Sequence, residues 1–440
     1  MKKDKPPNEI SSYRPISLTS VVAKVMERMV SRRLTWYLES NNLLSTDQAG
    51  FRENHSTNEQ VINISQDIKE SFNKHEDTTA VFVDFQTAYD SVWRCKLLEK
   101  IQKLGIKKNM LQWLSDFITQ RFCATRYQQA LSTYKQTHVG LPQGSVLSTT
   151  LFNIYINDLP ETLNIPKLKT ALFADDLLFW TSESKKKYDK IKDTMQEALN
   201  KLHKWCIENL MTINIEKTKY QIFSLGWKER NIDLHYNGIQ IQKTDNSKYL
   251  GVVFDTKLSW NKHTEKVCEK TTQRFNILKR LCTTKWGCSM TTLSSTYYTY
   301  VKPVLQYCGE ILITSPANLA KLEKIQNQAL RIITGGVKST PVEAMRIITK
   351  NYPITLTLQE QAILLYEKLL RLPETKWRQR HVPSSTLSTQ ISFIEKVSDL
   401  LKTFEVSKYR ELLYTHENPL EEVTCESLSV EFGFTLYNIL

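Results

Sequence analysis

Apolar residues recur along this chain in two spacings, and each spacing predicts a different element. From about Thr19 to Ser40, Val22, Val25, Met26, Met29, Leu34 and Leu38 lie near one side of a 3.6-residue period, predicting an amphipathic helix. Val61, Ile64, Ile68 and Phe72 predict a second helix, opened by Ser56 or Thr57 with Glu59 or Gln60 three residues later. Gly50-Phe51-Arg52 reads as the loop before it. The runs 79–83 and 171–180 are short, apolar and rich in β-branched or aromatic residues, as buried strands are. Residues 96–120 predict a helical pair broken at Gly105, and 122–139 a hairpin. From about Lys185 to Asn209, Ile191, Met195, Leu199, Leu202 and Trp205 mark the inner face of a long helix. Asn237-Gly238 predicts a tight hairpin turn, and Tyr249–Phe254 a strand. After Lys262 the period is helical: 262–282, 289–302, 316–334 ending at Gly335, and 354–372. The remaining tail is less patterned.

Polar residues interrupt the apolar runs at two places. Asp175-Asp176 splits 171–180, so both carboxylates are expected in the turn of a hairpin, where Asp is a natural turn former. Adjacent like charges raise one another's pKa unless a cation neutralises them, and hard oxygen donors suit magnesium. Alone, the pair fits a solvated surface turn better than a metal site. Asp84, which ends the run 79–83, supplies a further carboxylate; a strand ending in Asp beside an Asp-Asp hairpin suits two metals and phosphoryl transfer.

Asp84 with Tyr89 five residues on, then Leu141-Pro142-Gln143-Gly144-Ser145, then Phe173-Ala174-Asp175-Asp176, resembles the successive palm motifs of reverse transcriptases. The likeness is to the non-LTR, jockey-like retrotransposon type. Tyr13-Arg14-Pro15-Ile16-Ser17-Leu18, Gly50-Phe51-Arg52, His55-Ser56-Thr57 and Lys248-Tyr249-Leu250-Gly251 also carry it, and it runs from about Ser12 to Gly335. It implies an α+β, right-hand polymerase fold: fingers and palm over 1–245, primer grip and helical thumb over 246–340, and a helical C-terminal region of unknown role over 341–440. It implies RNA-directed DNA synthesis with an RNA template, a DNA primer and dNTPs.

By the same resemblance, Asp84, Asp175 and Asp176 hold two Mg2+ ions, with Mn2+ a substitute. Tyr89 lies beneath the sugar of the incoming nucleotide and rejects a ribose; its alternative is a core aromatic. Gln143 lies near the incoming nucleotide and template, or is a plain polar turn. Arg14 and Arg52 are placed near the triphosphate because the arginine fork matches phosphate. Their alternatives are packing beside a helix or touching template backbone. Asn214-Ile215-Glu216-Lys217-Thr218 resembles a fourth palm motif, making Lys217 a general acid for pyrophosphate or a surface lysine. One departure stands out: Ser148-Thr149-Thr150 replaces the family's usual Gly or Ser followed by Pro. Relatives carry an endonuclease-like domain upstream, which the resemblance implies this chain lacks. A second expectation follows: a catalytically weak, nucleic-acid-binding remnant.

Composition adds two points. The formal net charge is +13 over 440 residues, with basic groups spread along the chain, which favours a polyanionic partner. The 8 cysteines form no CxxC pair or zinc knuckle, so they are expected to be reduced in an intracellular protein; action in the nucleus is an expectation that goes with the resemblance. No apolar run reaches membrane-spanning length.

Overall fold

The computed structural model describes residues 16–127, 129–227, 230–283, 287–372 and 390–405, together with Glu9, Tyr13 and Leu387. Arg14 lies outside the described residues. The chain divides into two compact units. The first holds residues up to Ile64 and Lys74–Leu258; the second holds Ser65–Asn73 and the chain from Ser259 on.

A five-stranded sheet organises the first unit. Its strands are β1 (Glu76–Val83), β6 (Lys169–Phe173), β7 (Asp176–Ser184), β8 (Lys219–Phe223) and β11 (Gln242–Lys243), in the order β11-β8-β1-β7-β6. β1 is central and antiparallel to both neighbours. β1 and β7 are covered on both faces and are buried almost throughout, so neither alternates between core and solvent. On one face Val81, Val83, Leu177 and Phe179 share a core with α5 (Leu147–Ile156) and α7 (Tyr188–Glu208). The other face carries Phe82, whose ring lies 6.0 Å from Tyr249 and 6.5 Å from Phe254. Those rings belong to the antiparallel pair β12 (Asn246–Tyr249) and β13 (Val252–Asp255). The buried Gln221 of β8 fixes that pair to the sheet, donating to Asp245 and Phe254 carbonyls and accepting from Ser247 N, all at 3.0 Å. The segment read as a primer grip therefore packs with the sheet.

Helices α1 (Val21–Ser40) and α2 (Thr57–Asn73) precede the sheet. Ser56 Oγ accepts from Glu59 N at the start of α2, as the capping pattern requires. α1 corrects the sequence reading. Leu34 and Leu38 are buried as expected, but Val22, Val25, Met26 and Met29 are exposed and Glu27 is buried. The cause is local: the Glu27 carboxylate accepts from Ser145 Oγ (2.5 Å), Val146 N (2.7 Å) and Leu147 N (3.4 Å) at the opening of α5. A carboxylate at a helix N-terminus satisfies orphan donors and suits the dipole; Glu27 shares the buried side with Val30, Leu34 and Leu38, while Val22, Val25, Met26 and Met29 lie on the other side of the same helix.

Smaller elements follow the pattern closely. α3 (Arg94–Lys103) and α4 (Lys108–Thr119) flank Gly105, whose φ is +85°. Residues 122–136 form a ladder of short strands, β2 (Phe122–Cys123) with β5 (Lys135–Gln136) and β3 (Arg126–Tyr127) with β4 (Ala130–Leu131). α6 is one turn, Leu159–Thr162. β9 (His235–Tyr236) and β10 (Ile239–Gln240) meet through Asn237 and Gly238, both with positive φ, the type I′ geometry that this dipeptide favours.

The second unit is helical: α8 (Asn261–Leu281), α9 (Met290–Thr296), α10 (Lys302–Gln306), α11 (Pro316–Thr334), α12 (Val342–Thr349), α13 (Ile354–Arg371) and α14 (Phe393–Thr403). A π-helical turn, Tyr297–Val301, joins α9 to α10, and a 3-10 turn, Gly309–Thr314, follows. Phe275, Leu278, Leu293, Tyr297, Leu322 and Leu330 are buried. The end of α2 docks here through Lys69, which donates to Ile391 O at 2.8 Å and to Thr314 Oγ1 at 3.3 Å. Tyr298, Tyr300 and Tyr307 are partly exposed, and Arg274 lies over the Tyr300 ring at 4.5 Å. All cysteines among the described residues are free. No helix among them is long and apolar enough to cross a membrane.

Candidate active site

β6 and β7 are joined by two residues. Their register closes on Phe173↔Asp176, which leaves Ala174 and Asp175 as the turn. Ala174 has φ +57°, the sign a type II′ hairpin needs at its first central position. The sequence pattern predicts both carboxylates in the turn; in the structure Asp175 is in the turn and Asp176 begins β7. Packing decides this. A one-residue slip would move Leu177 and Phe179 from the core to the opposite face. Each of these side chains contributes about 1.5–3 kcal/mol by its burial.

Asp84 follows the last residue of β1. The β1–β7 ladder ends at Val83↔Leu177, so one further step along both chains sets Asp84 across from Asp176. Directly opposed residues share a face, here the face of Phe82 and Tyr249. A loop after α7 pins the backbone beyond β1: Asn214 N donates to Asp84 O at 2.7 Å and Gln86 N to Thr212 O at 2.8 Å. The same loop carries Lys217, whose Nζ lies 3.3 Å from Asp84 Oδ2.

The electrostatics agree with this placement. Asp176 is exposed by area, yet protein atoms crowd its carboxyl. That desolvation, then the charges of Asp175 and Asp84, push its pKa up to about 6, and Lys248 offsets the rise only in part. Burial and then Asp176 raise the Tyr249 phenol, and burial and then Asp175 raise the Tyr89 phenol. Among the described residues, no three His, Cys, Asp or Glu side chains are drawn into one ligating cluster. Asp84 instead turns one oxygen to Lys217. The donor set nevertheless fits a hard divalent cation. It comprises carboxylate oxygens from Asp84, Asp175 and Asp176 at the ends of two paired strands, with mutual repulsion that a cation would relieve.

Tyr89 lies beside this site, with its ring stacked on Phe152 at 4.4 Å and its hydroxyl buried without a hydrogen bond. Leu141 N donates to Tyr89 O at 2.7 Å and Gly140 N to Val92 O at 2.9 Å, fixing the Leu-Pro-Gln-Gly loop along residues 89–92. Gly140 has φ +79°, and a Cβ there would meet Asp90 O at 2.6 Å, so this position requires glycine. Gln143 Nε2 donates to both Asp90 carboxylate oxygens, at 2.9 and 3.0 Å. Ser148, at the departure from the family pattern, donates to Pro142 O at 2.9 Å and so ties α5 to the same loop.

Arg52 is not brought to the carboxylates by any contact. Its fork pairs with Glu39 (2.6 and 2.9 Å), and Nη1 donates to Ser45 O (2.7 Å) and Gln48 O (3.1 Å). This arrangement matches the alternative of an arginine packed beside its helix. The sequence reading missed three participants: Gln48, which holds the hairpin turn, and Lys248 and Tyr249, which face Asp176 as charge and ring. Gly50 was the available signal, since a glycine that borders an aromatic-basic pair can mark close backbone approach.

Residues 1–254 match the family of reverse transcriptases (RNA-dependent DNA polymerases). The chain is 30% identical over 341 residues to a protein named as the probable RNA-directed DNA polymerase from transposon BS of Drosophila melanogaster; the match covers 76% of this chain and 37% of that one. It is 28% identical to the RNA-directed DNA polymerase from mobile element jockey of Drosophila funebris, with the same coverage. The chain thus spans little more than a third of the length of these curated relatives. Among solved structures it is similar to apo telomerase from Candida tropicalis, at 13% identity and a TM-score of 0.42, covering 91% of this chain and 59% of that one. With more than half its length matched, the chain belongs to the reverse transcriptase family.

Proposed function

We propose that the chain is the polymerase part of a jockey-like, non-LTR retrotransposon protein and extends a DNA primer on an RNA template. The sheet with α1 and the start of α2 acts as palm and fingers in a right-hand arrangement, the helices between Ser259 and residue 340 act as the thumb, and 341–440 is assigned no role. The observation that carries the proposal is the register that sets Asp84 across from Asp176, at a hairpin that also presents Asp175. Asp84, Asp175 and Asp176 would hold two magnesium ions, or manganese in their place, which would supply charge neutralisation and acidify the primer 3′-hydroxyl. The side chains do the positioning. Tyr89, braced on Phe152, forms a floor under the sugar, and a ribose 2′-hydroxyl would collide with its ring. Gln143, held by Asp90, borders the same space. Lys217, held beside Asp84, is placed to give a proton to departing pyrophosphate. Arg14 is kept as a triphosphate ligand. The positive charge of the chain suits template-primer duplex, and its place of action is the nucleus.

Primer extension with the full chain tests this. Incorporation of dNTPs on an RNA template, dependent on Mg2+, is the expected result, and dTTP incorporation on poly(rA) is its simplest form. Duplex binding without any incorporation would instead identify a nucleic-acid-binding remnant. The bond from Ser148 to Pro142 argues against the remnant, because the substituted segment keeps a tie across the loop.

A further inference from the structure

Ala174 is a non-glycine residue in a backbone conformation that glycine favours. Nothing in its own sequence holds it there. A buried side chain from another part of the chain does. Gln48 Oε1 accepts from Ala174 N at 2.9 Å and from Gly50 N at 2.8 Å, and Gln48 Nε2 donates to Ala174 O at 3.3 Å. Both polar atoms of the Ala174 backbone are therefore gripped by one amide, which is 1% exposed. The segment around it runs alongside β6: Leu172 N donates to Asp47 O at 2.8 Å and Ala49 N to Leu172 O at 2.9 Å. Behind it, Asn153 Nδ2 of α5 donates to Gly50 O at 2.7 Å. Gly50 is required for the approach, since a Cβ there would lie 2.3 Å from Ala174 N.

We infer that Gln48 is a positioning residue for nucleotidyl transfer: it locks the Ala174-Asp175 turn and thereby sets the directions of the Asp175 and Asp176 carboxylates. This rests on the polymerase function proposed above. Gln48 touches no reacting group. It acts through the backbone of Ala174, and Gly50 and Asn153 back it. The backbone groups it satisfies are buried, so no water replaces it when it is removed. A hairpin freed of this grip would sample other turn geometries and hold its carboxylates loosely.

The test uses the full chain with Gln48→Met, which keeps the side-chain volume and removes all three hydrogen bonds, and Gln48→Glu, which keeps the acceptor only. Two readouts are taken: amide hydrogen exchange of Ala174, and single-nucleotide incorporation across a Mg2+ series. For Gln48→Met the exchange protection of Ala174 should be lost while that of α7 is kept. The incorporation rate should fall about 10- to 100-fold, the scale of a misplacement near 1 Å. The Mg2+ needed for half-maximal rate should rise, with template-primer affinity within about twofold of the parent. Gln48→Glu should lie between. Unchanged Ala174 protection, or a fall in melting temperature with an unchanged Mg2+ dependence, would overturn the inference. If the parent chain incorporates no nucleotide, the polymerase proposal falls and the exchange arm alone still decides whether Gln48 holds the turn. Should Gln48→Met fail to fold, Gln48→Glu carries both readouts.

Discussion

Asp176 concentrates the residue-scale argument, because its neighbours make ionisation unfavourable. Its folded pKa, about 6, lies above the ordinary 3.8, so its contribution to stability is complete below pH 3.8 and is lost as the pH rises through about 6. Asp176→Asn removes that penalty. In EDTA at pH 8 the variant should melt at or slightly above the parent temperature by calorimetry while incorporating no nucleotide; a clearly lower melting temperature would contradict the crowding described for this carboxyl. Arg52 makes the opposite point. The family motif suggested a phosphate ligand, but its guanidinium pairs with Glu39 and two carbonyls. Arg52→Lys loses the paired fork, so it should destabilise the fold by about 1–3 kcal/mol in a denaturant titration. KM for dNTP should remain within about twofold, since KM moves when binding to substrate is removed. Both residues were visible in the sequence. Only Asp84, Asp175 and Asp176 were legible as a group, because carboxylates at strand ends have one economical explanation, while an arginine has many partners within reach.

At the scale of elements, periodicity carried most of the fold. The strand predicted over 79–83 is the end of β1, the helix predicted from Lys185 to Asn209 is α7, and Asn237-Gly238 is a type I′ turn. These succeed because burial and turn chemistry are local to the pattern. α1 shows where that fails: Leu34 and Leu38 face the same way as Glu27 and not as Val22, Val25, Met26 and Met29, and only the partner helix reveals why the carboxylate is buried. The Gln48 clamp was illegible for the same reason, since its partner Ala174 lies 126 residues away. α8 supplies an element-scale prediction. His263 is 2% exposed, and burial, then Lys270 and Lys266, push its pKa down to about 4 from 6.5. An imidazole held neutral in the fold contributes stability that is present above pH 6.5 and lost as the pH falls through about 4. The loss amounts to ~3 kcal/mol at most, from the size of the shift. Chemical denaturation between pH 7 and 4 should show this slope, and His263→Gln should flatten it. An equal slope in the variant would mean the acid sensitivity resides elsewhere.

The whole molecule adds charge to geometry. A formal +13 spread over the chain suits a long duplex ligand, whose binding releases condensed counterions. Affinity for an RNA–DNA template-primer should therefore fall at least about tenfold between ~50 and ~200 mM salt, as read by fluorescence anisotropy; a flat response would remove the electrostatic part of the account. Composition gave the sign of the partner but not its path across the surface, because distributed lysines and arginines have no periodicity to read. Asp84, Asp175 and Asp176 are proposed to act together on one nucleotide at a divalent-metal site. Single-nucleotide incorporation on an RNA template in Mg2+, comparing the full chain with Asp84→Asn and Asp176→Asn, tests it most directly. Incorporation by the parent chain, lost in each variant with duplex binding retained, is the expected result. Incorporation that survives either substitution would contradict it.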